Sequence, residues 1–426
     1  MTRSGSGNVA VTGLGAVSAL GVGADALWDG LLSGACALRA TQPSPRGIPV
    51  TRRAGTVEQA ARLIEEHVDP KYLRRLSNFS RYAVGAAALC YQDGNARKRW
   101  SAAGLERVSD DAAVILGTSY GSSAYHFEYY EKLYRNGLKD ASPLLFSESV
   151  MNSASGHISI YLRLRGASLA LVGGEEVGLS ALVEAFDRIS LGEAPAVLAG
   201  GAEEYCDFVH ASLGHRGFVS EERGDPYSGG EGGSFLAEGA AFLLLEDEAL
   251  VGGQKNAAAI RLTGAAIARP SSQKTRDGRP VQQAEAVQRA ISGALAEAKL
   301  DPASVDLVVT SGNGSAIDRQ ELEGIVEALC SGSGRGLDTH DVVLTAPKAA
   351  LGEGFAFTSA VEALVAVKAL SHQVVPPTAG PGEAPRLPAG LVLSREPMEG
   401  RYERALAVSL NSRGNAAAVL FERQEP

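Results

Sequence analysis

Two adjacent glutamates, Glu175 and Glu176, stand in the stretch GASLALVGGEEVGLSALVEAFDRISLG (residues 166–192), where a predicted strand gives way to a predicted helix. Such a strand-to-helix turn is a favoured place for a nucleophile, because the helix N-terminus stabilises negative charge there. Carboxylates at this turn are therefore candidate acids or bases. Their purpose depends on the elements that position them and on the residues brought to the same place.

Short apolar runs alternate with helical patterns along the chain, which is typical of an α/β fold. Several runs are continuously apolar, which predicts strands buried on both faces. Predicted helices cover residues 181–192, 283–300 and 358–373, and the last is apolar on most of its faces. The predicted strands cover residues 9–14, 112–118, 168–173, 194–201, 239–247, 258–268, 305–312, 341–347, 404–410 and 415–423.

The predicted strands fall into two sets of similar kind, which indicates two halves, residues 1–250 and 251–426. The hydrophilic stretch 246–256 is the expected boundary. Residues 34–105 show weak periodicity and are interpreted as an insertion of helices and loops within the first half, while 374–388 is expected to be a surface connection.

The bulk composition excludes several classes of protein. With 426 residues, 45% of them apolar, the chain can bury a large core, and its net charge of −9 without a Lys/Arg block argues against nucleic-acid binding. Four scattered cysteines without metal-ligand spacing indicate a reducing compartment and no metal or other cofactor. Without a signal-peptide pattern or a membrane-length apolar run, we expect a soluble cytoplasmic protein with no membrane partner.

Six stretches, taken in order, resemble the β-ketoacyl synthases of the thiolase superfamily. They are residues 9–34, 166–182, 194–204, 226–249, 344–378 and 405–422, and they span nearly the whole chain. Each motif alone is weak, but six in the same order are specific. The resemblance implies a thiolase fold with two pseudo-duplicated α/β halves in a five-layered αβαβα arrangement. It also implies a dimer whose interface borders an acyl tunnel.

Synthases of this family condense an acyl thioester with malonyl on a carrier protein, using a cysteine nucleophile and two histidines. The resemblance places Glu175 at the cysteine position, Ser311 (in SGNGSAID) at the first histidine and Glu353 (in KAALGE) at the second. It keeps the family's lysine as Lys348, and the glycine-rich turn near the C-terminus reads NSRG (411–414). All three catalytic residues are thus replaced, and a lysine alone does not supply a nucleophile with oxyanion donors.

This pattern of replacement resembles the chain-length factors of type II polyketide synthases. Such subunits lack the cysteine, pair with an active ketosynthase as a heterodimer, and limit the length of the polyketide by closing one end of the tunnel. The acyl carrier protein would be met mainly through the ketosynthase partner. Chain-length factors of aromatic systems usually carry glutamine where this chain has Glu175, so the product class stays open between aromatic, polyene and other types.

Three other functions compete with this interpretation. Malonyl decarboxylation is disfavoured because an ionised Glu175 only accepts hydrogen bonds and repels an enolate. An active enzyme could recruit another cysteine such as Cys206, although nothing near it resembles the activating base of a known motif. A stand-alone acyl-binding or scaffold protein is the third. Whether Glu175 pairs with a basic residue, caps the helix or only fills the pocket also stays open.

An aromatic-rich segment, GTSYGSSAYHFEYYEKLYRNG (117–137), matches the family's helix at the dimer interface. At helical spacing, one face carries Ser123, Phe127, Tyr130 and Tyr134. Large rings on an inward face would shorten the tunnel. The alternative is that the rings only bury area in the interface, and a tunnel wall at an interface does both.

Overall fold

The apolar runs of the sequence form strands, and each predicted strand overlaps an observed one. The computed structural model describes residues 9–41, 44, 47–50, 53–57, 61–105, 107–220, 224–229, 233–251, 259–271, 283–330, 341–382 and 385–424. Within them the strands are β1 (Val9–Ser18), β2 (Gly21–Val22), β3 (Arg39–Ala40), β4 (Arg53–Ala54), β5 (Ala113–Thr118), β6 (Ser168–Val172), β7 (Ala196–Glu203), β8 (Gly239–Asp247), β9 (Ile260–Ala268), β10 (Leu307–Val309), β11 (Val342–Thr345), β12 (Val374–Val375), β13 (Leu391–Leu393), β14 (Met398–Glu399), β15 (Arg404–Leu410) and β16 (Ala416–Arg423).

The helices lie between these strands, including the three predicted ones. In chain order the described helices are α1 (Ala24–Leu32), α2 (Ala61–Ile64), α3 (Pro70–Leu73), α4 (Asn78–Asp93), α5 (Ala96–Ala102), α6 (Val108–Asp111), α7 (Ser123–Asn136), α8 (Pro143–Ser149), α9 (Ser153–Leu162), α10 (Val177–Ser190), α11 (Asp207–His215), α12 (Glu248–Val251), α13 (Gln283–Ala298), α14 (Asp318–Cys330), α15 (Lys348–Leu351) and α16 (Ala356–His372). Within the described chain, none of the helices combines the length and the apolar character needed to cross a membrane.

The two halves of the sheet have similar strand patterns, with three parallel strands in the first half and four in the second. In the first half, β6, β5 and β7 are parallel, β8 runs antiparallel to β7, and β1 antiparallel to β8. In the second half, β13, β11, β10 and β15 are parallel, and β16 and then β9 follow as antiparallel neighbours. The halves join where β1 pairs with β9 over two residues. This repetition is the pseudo-duplicated thiolase fold expected from the resemblance.

The layers follow one another in the order αβαβα and are held together by three large apolar cores. The central core packs against both halves of the sheet. The first core lies between α4 and α9 and the sheet of the first half. The central core encloses α10 and α16 between the two halves of the sheet. The third packs α13 and α14 on the outer face of the second half. The helix predicted to be apolar on most faces, α16, is therefore the buried centre of the molecule.

The helix α4 packs unusually close to β1, and two glycines make this possible. A Cβ atom on Gly13 would lie 2.3 Å from the carbonyl oxygen of Cys90, and one on Gly15 would lie 2.1 Å from that of Ala86. Side chains at either glycine would push α4 off the sheet. The stretch 34–105, expected to be an insertion, thus contains a helix that forms one of the outer layers. The domain boundary near residue 250 stays a prediction, since 252–258 lie outside the described residues.

The buried imidazole of His210, on α11, predicts a loss of stability in acid. Burial lowers the pKa of His210 to about 4, and its Nδ1 lies 2.6 Å from the Tyr205 hydroxyl. In the unfolded chain the histidine binds a proton with a pKa near 6.5. The free energy of unfolding that depends on a neutral His210 is therefore fully present above pH 6.5 and is lost as the pH falls towards 4. Relative to pH 8, we expect the loss at pH 5 to be at most about 2 kcal/mol.

Urea unfolding followed by circular dichroism at pH 8 and pH 5 gives the pH dependence of stability, and the difference between the wild type and a variant isolates the share of His210. The buried Glu203 and Glu204, with pKa values raised to about 8 and about 7, contribute equally to both proteins. The His210→Gln variant should lose less stability than the wild type between the two pH values, because glutamine does not titrate. His215→Gln, at the exposed end of the same helix, is the matched control and should behave as the wild type. Equal pH dependence in all three proteins would contradict the assignment.

Candidate functional site

The glutamates of the strand-to-helix turn lie between β6 and α10, and both side chains are buried. Glu176 is the N-cap of α10, yet its carboxylate makes no capping bond and instead accepts a hydrogen bond from Asn411 Nδ2 at 2.7 Å. Glu175 Oε1 accepts one from the backbone N–H of Ser412, with an N–O distance of 3.3 Å. The turn 411–414 therefore closes over this elbow and holds both carboxylates.

Ser311 follows β10 and is held by a buried carboxylate. Its backbone N–H and its hydroxyl both donate to Glu321 Oε1, at 2.8 and 2.6 Å. The other oxygen of Glu321 accepts a hydrogen bond from the Tyr227 hydroxyl at 2.9 Å. The Ser311 hydroxyl also accepts a bond from the N–H of Leu410 at 3.3 Å. The serine is thus a link between β10, α14 and the end of β15.

Lys348 is buried and has two carboxylate partners. Its Nζ lies 3.1 Å from Glu353 Oε2 and 3.5 Å from Glu362 Oε1. Glu353 also accepts hydrogen bonds from Asn313 Nδ2 at 3.1 Å and from the N–H of Phe355 at 2.8 Å. Lys348 interacts electrostatically with Glu175, but its ion pairs are those with Glu353 and Glu362.

The electrostatics of this cluster follow from its burial and its excess of carboxylates. Burial raises the pKa of Glu175, and the neighbouring Glu353 raises it further. Burial also raises the pKa of Glu362, against the pull of Lys348. For Lys348 burial opposes the charge, but Glu353 and Glu362 outweigh this effect and raise its pKa. One lysine thus balances several buried carboxylates, and Glu175 takes up a proton more readily than an exposed glutamate does.

The chemistry open to this cluster is limited. Its carboxylates accept hydrogen bonds and hold protons, and a protonated Glu175 can donate one. The hydrogen-bond and ion-pair partners described above for these side chains include neither a thiol nor an imidazole. Cys206, the cysteine considered as an alternative nucleophile, is buried elsewhere, and burial raises the pKa of its thiol. Among the described residues, no group of three or more histidine, cysteine or acidic side chains could hold a metal ion.

A strained residue, Phe355, connects the cluster to the aromatic segment. It has φ 47° and ψ −117°, a conformation that costs a non-glycine residue about 1–3 kcal/mol. Its ring packs against Tyr120 and Phe218, with centroid distances of 5.0 and 5.7 Å. Tyr120 directly precedes the turn into α7, so the start of that helix lies beside the cluster.

The four residues predicted to line a tunnel lie along α7, which has no fully buried residue. Ser123 and Phe127 are half-buried, and the Phe127 ring contacts Phe208 at a centroid distance of 5.2 Å. Tyr130 is 55% exposed and Tyr134 93% exposed. In the single chain these rings point away from a core, and their role in a tunnel stays a prediction.

The structure brings Glu175, Ser311, Lys348 and Glu353 into one buried region, while Tyr130 and Tyr134 remain at the surface. Sequence reasoning missed Glu321 and Glu362, the carboxylates that hold Ser311 and Lys348. A signal for Glu362 was present, since it stands alone as an acid in the apolar part of α16. No comparable signal marked Glu321.

Family comparisons cover most of the chain. The model of the β-ketoacyl synthase N-terminal domain matches residues 6–250, and that of the C-terminal domain matches residues 263–381. The tetracenomycin polyketide synthase ketoacyl synthase beta subunit of Streptomyces glaucescens is 31% identical over 97% of this chain and 98% of its own length. The 3-oxoacyl-[acyl-carrier-protein] synthase 2 of Mycobacterium leprae is 26% identical over 97% and 96%.

Solved structures share the fold over nearly the full length. The ishigamide ketosynthase/chain length factor superposes with a TM-score of 0.82 at 22% identity, covering 98% of this chain and 99% of that one. A type II polyketide synthase acyl-carrier protein in complex with its ketosynthase (AntDE:AntF) gives a TM-score of 0.80 at 20% identity, covering 98% and 99%. At such identities the likeness establishes the thiolase fold.

Proposed function

Because the chain belongs to the β-ketoacyl synthase family, we propose that it is the non-catalytic, ketosynthase-like subunit of a polyketide synthase, a chain-length factor. It would pair with an active ketosynthase that elongates polyketides bound to an acyl carrier protein, and it would limit their length. The 31% identity to a ketoacyl synthase beta subunit supports this proposal. A 3-oxoacyl-[acyl-carrier-protein] synthase 2 of the same family matches at 26% identity, so the choice between the two functions depends on the residues of the site.

The observation that carries the proposal is the way the replaced positions are occupied. Glu353 binds the retained Lys348, and Ser311 is bonded on both sides. Glu175 is buried under the turn at Ser412. A condensing enzyme needs a thiolate and donors aimed at the developing oxyanion. Here the same space contains carboxylates that repel an oxyanion, and the lysine is already paired.

An open sheet edge supports a protein partner. β6 is the last strand of its half, and all five of its residues are at least partly exposed. The strand at the opposite end, β13, has both leucines buried. Val172 of β6 is exposed, and so is Ile160 on α9, the helix that packs beside this strand. Tyr130 on α7 and Phe146 on α8 add further exposed rings to the chain's surface. Uncovered edges and apolar patches of this kind are usually covered by a partner.

A second candidate, decarboxylation of a malonyl thioester, is favoured by one observation. Since burial and Glu353 raise the pKa of Glu175, this side chain can be protonated and can donate a hydrogen bond to an enolate oxygen. The ionised carboxylate considered from sequence could not do so. Against this candidate stands Glu353, whose bond to Lys348 occupies the buried cation that a malonyl carboxylate would otherwise meet.

A Glu175→Ala variant separates the two functions. If the chain is non-catalytic, the complex of this variant with a cognate ketosynthase should keep product formation within about threefold of the wild-type complex. Replacement of the nucleophilic cysteine of that ketosynthase should abolish it. Product is measured by mass spectrometry after incubation with malonyl-loaded carrier protein, and the chain alone should release no carbon dioxide.

Two results would refute the chain-length-factor proposal. One is condensation by the purified chain without a ketosynthase. The other is carbon dioxide release by the chain alone that disappears in Glu175→Ala, which would favour the decarboxylase. Size-exclusion chromatography of each variant with the ketosynthase shows whether a 1:1 complex is retained, so that loss of assembly is not mistaken for loss of chemistry.

A further inference from the structure

A cavity lies in the outer helical layer of the first half, and none of its lining residues belongs to the buried carboxylate cluster. It has a volume of about 980 Å³ and lies between the C-terminal ends of α4 and α9 and the helix α5. Its lining residues are Ala88, Tyr91, Gln92, Asn95, Arg97, Lys98, Ser101, Ala102, Tyr161, Leu162 and Arg163. A smaller cavity of about 270 Å³ adjoins it and shares Tyr91, Arg97, Ser101, Leu162 and Arg163.

The charge of this cavity is opposite to that of the chain. The sequence has 49 acidic against 40 basic residues, yet the described lining of the larger cavity includes three cations and no carboxylate. Arg97, Lys98 and Arg163 are exposed. The Arg97 guanidinium lies against the Tyr91 hydroxyl. In the neighbouring cavity, Arg165 is paired with Asp110 at 3.1 Å. Because Arg97, Lys98 and Arg163 reach solvent and no carboxylate lines the larger cavity in the described residues, their charges are available to an anion.

The walls and floor of the cavity are apolar and firmly supported. Tyr91 is nearly buried and packs edge-on against Trp100, with a centroid distance of 5.6 Å. Tyr161 packs against Tyr72 at 5.0 Å. Ala88 and Leu162 are buried and form the floor. Aromatic walls beside cations suit a ligand with a flat or extended apolar body and a charged end.

The backbone at the rim is unusual at two of the lining residues. Asn95 has φ 46° and Arg163 has φ 59°, both in the left-handed region that favours glycine. Arg163 ends α9, where glycine is the usual residue. Glycine would suit this backbone better than arginine, so replacement of Arg163 by glycine should leave the end of α9 intact.

We propose that this cavity binds an amphiphilic anion, a carboxylate or phosphate monoester attached to an apolar body. Arg97, Lys98 and Arg163 bind the charged group, and the rings of Tyr91 and Tyr161 pack against the apolar body. The inference does not rest on the proposed function, since it uses none of the residues of the carboxylate cluster. It gives the chain a small-molecule site on its outer layer, separate from any acyl tunnel.

Calorimetric titration of the purified chain with 2-naphthoate, 2-naphthyl phosphate and neutral 2-naphthamide tests the proposal. At least one anion should bind, and the amide should bind at least about tenfold more weakly, because it forms no charge-assisted hydrogen bonds. The stronger of the two anions identifies the carboxylate or the phosphate as the natural group. Failure of both anions to bind below about 1 mM would overturn the proposal.

Two variants locate the site. Arg163→Gly removes the cation and suits the left-handed backbone, so the fold should be retained while the affinity for the anion falls about tenfold or more. Arg97→Gln should produce a loss of similar size. Arg319→Gln removes an exposed arginine on α14 and is the matched control, with unchanged affinity. Equal binding by all three variants and the wild type would place the probe elsewhere and refute the assignment.

Discussion

The Lys348→Met variant is expected to lower the free energy of unfolding by about 3–5 kcal/mol, because it leaves buried carboxylates without their cation. Glu353 and Glu362 both pair with this lysine, and all three side chains are at most 2% exposed. Methionine fills a similar volume, so the loss reports on charge rather than on a cavity. Urea unfolding followed by circular dichroism measures it, with an unchanged dependence on denaturant as the sign of an intact two-state transition.

Two further variants make this result specific to the buried cluster. Lys368→Met, on the same helix α16 as Glu362, breaks the pair of Lys368 with the exposed Asp25 and should cost at most about 1 kcal/mol. The double variant Lys348→Met with Glu353→Gln loses both charges of one buried ion pair. It should therefore be more stable than Lys348→Met alone, in which the Glu353 carboxylate stays buried without its cation. A loss for Lys348→Met no larger than that of Lys368→Met would refute the ion pairs as described.

The Phe127→Ala variant, in complex with the cognate ketosynthase, is expected to give products longer by at least one malonyl-derived unit. Phe127 is half-buried against Phe208 near the start of α7, and the removal of its ring opens space there. Tyr130→Ala should act in the same direction, though its ring is 55% exposed in the single chain. Products are identified by mass spectrometry after incubation with malonyl-loaded carrier protein.

The control distinguishes a tunnel wall from an interface that only buries area. Phe146, on α8, is also 55% exposed and contacts Tyr129 on α7. Phe146→Ala should weaken the complex with the ketosynthase and leave product length unchanged. If Phe127→Ala gives the wild-type products from an intact complex, the ring has no part in setting length.

The fold could be predicted from sequence where burial alone decides the structure. The run predicted as a strand at 239–247 is β8 with the same bounds, because most residues of a strand buried on both faces are apolar. The strand predicted over 305–312 is shorter, and β10 ends at Val309. Two residues further on, the N–H of Ser311 bonds to Glu321 instead of to a neighbouring strand.

The site could be predicted only in part, because a sequence motif identifies which residue stands at a position but not which distant residues bind to its side chain. Glu175, Ser311 and Glu353 are visible in the sequence as unexpected residues within spaced motifs. Their partners are set by the packing of distant layers, which places α14 against Ser311 and α16 against Lys348. The sequence also left open whether Glu175 caps the helix or pairs with a base. Its bond is with the N–H of Ser412, which comes from the far end of the chain.

The bonds around Glu353 have a consequence for how such a subunit can change over generations. Glu353 is joined at once to Lys348, Asn313 and the backbone of the strained Phe355. A change at this one position therefore disturbs three neighbours, and a histidine there would still face a serine at 311 and a carboxylate at 175. We therefore expect a substitution at Glu353 alone to cost stability without supplying the other two catalytic groups. If the chain is the non-catalytic subunit proposed above, its return to catalysis would need simultaneous substitutions at these three positions.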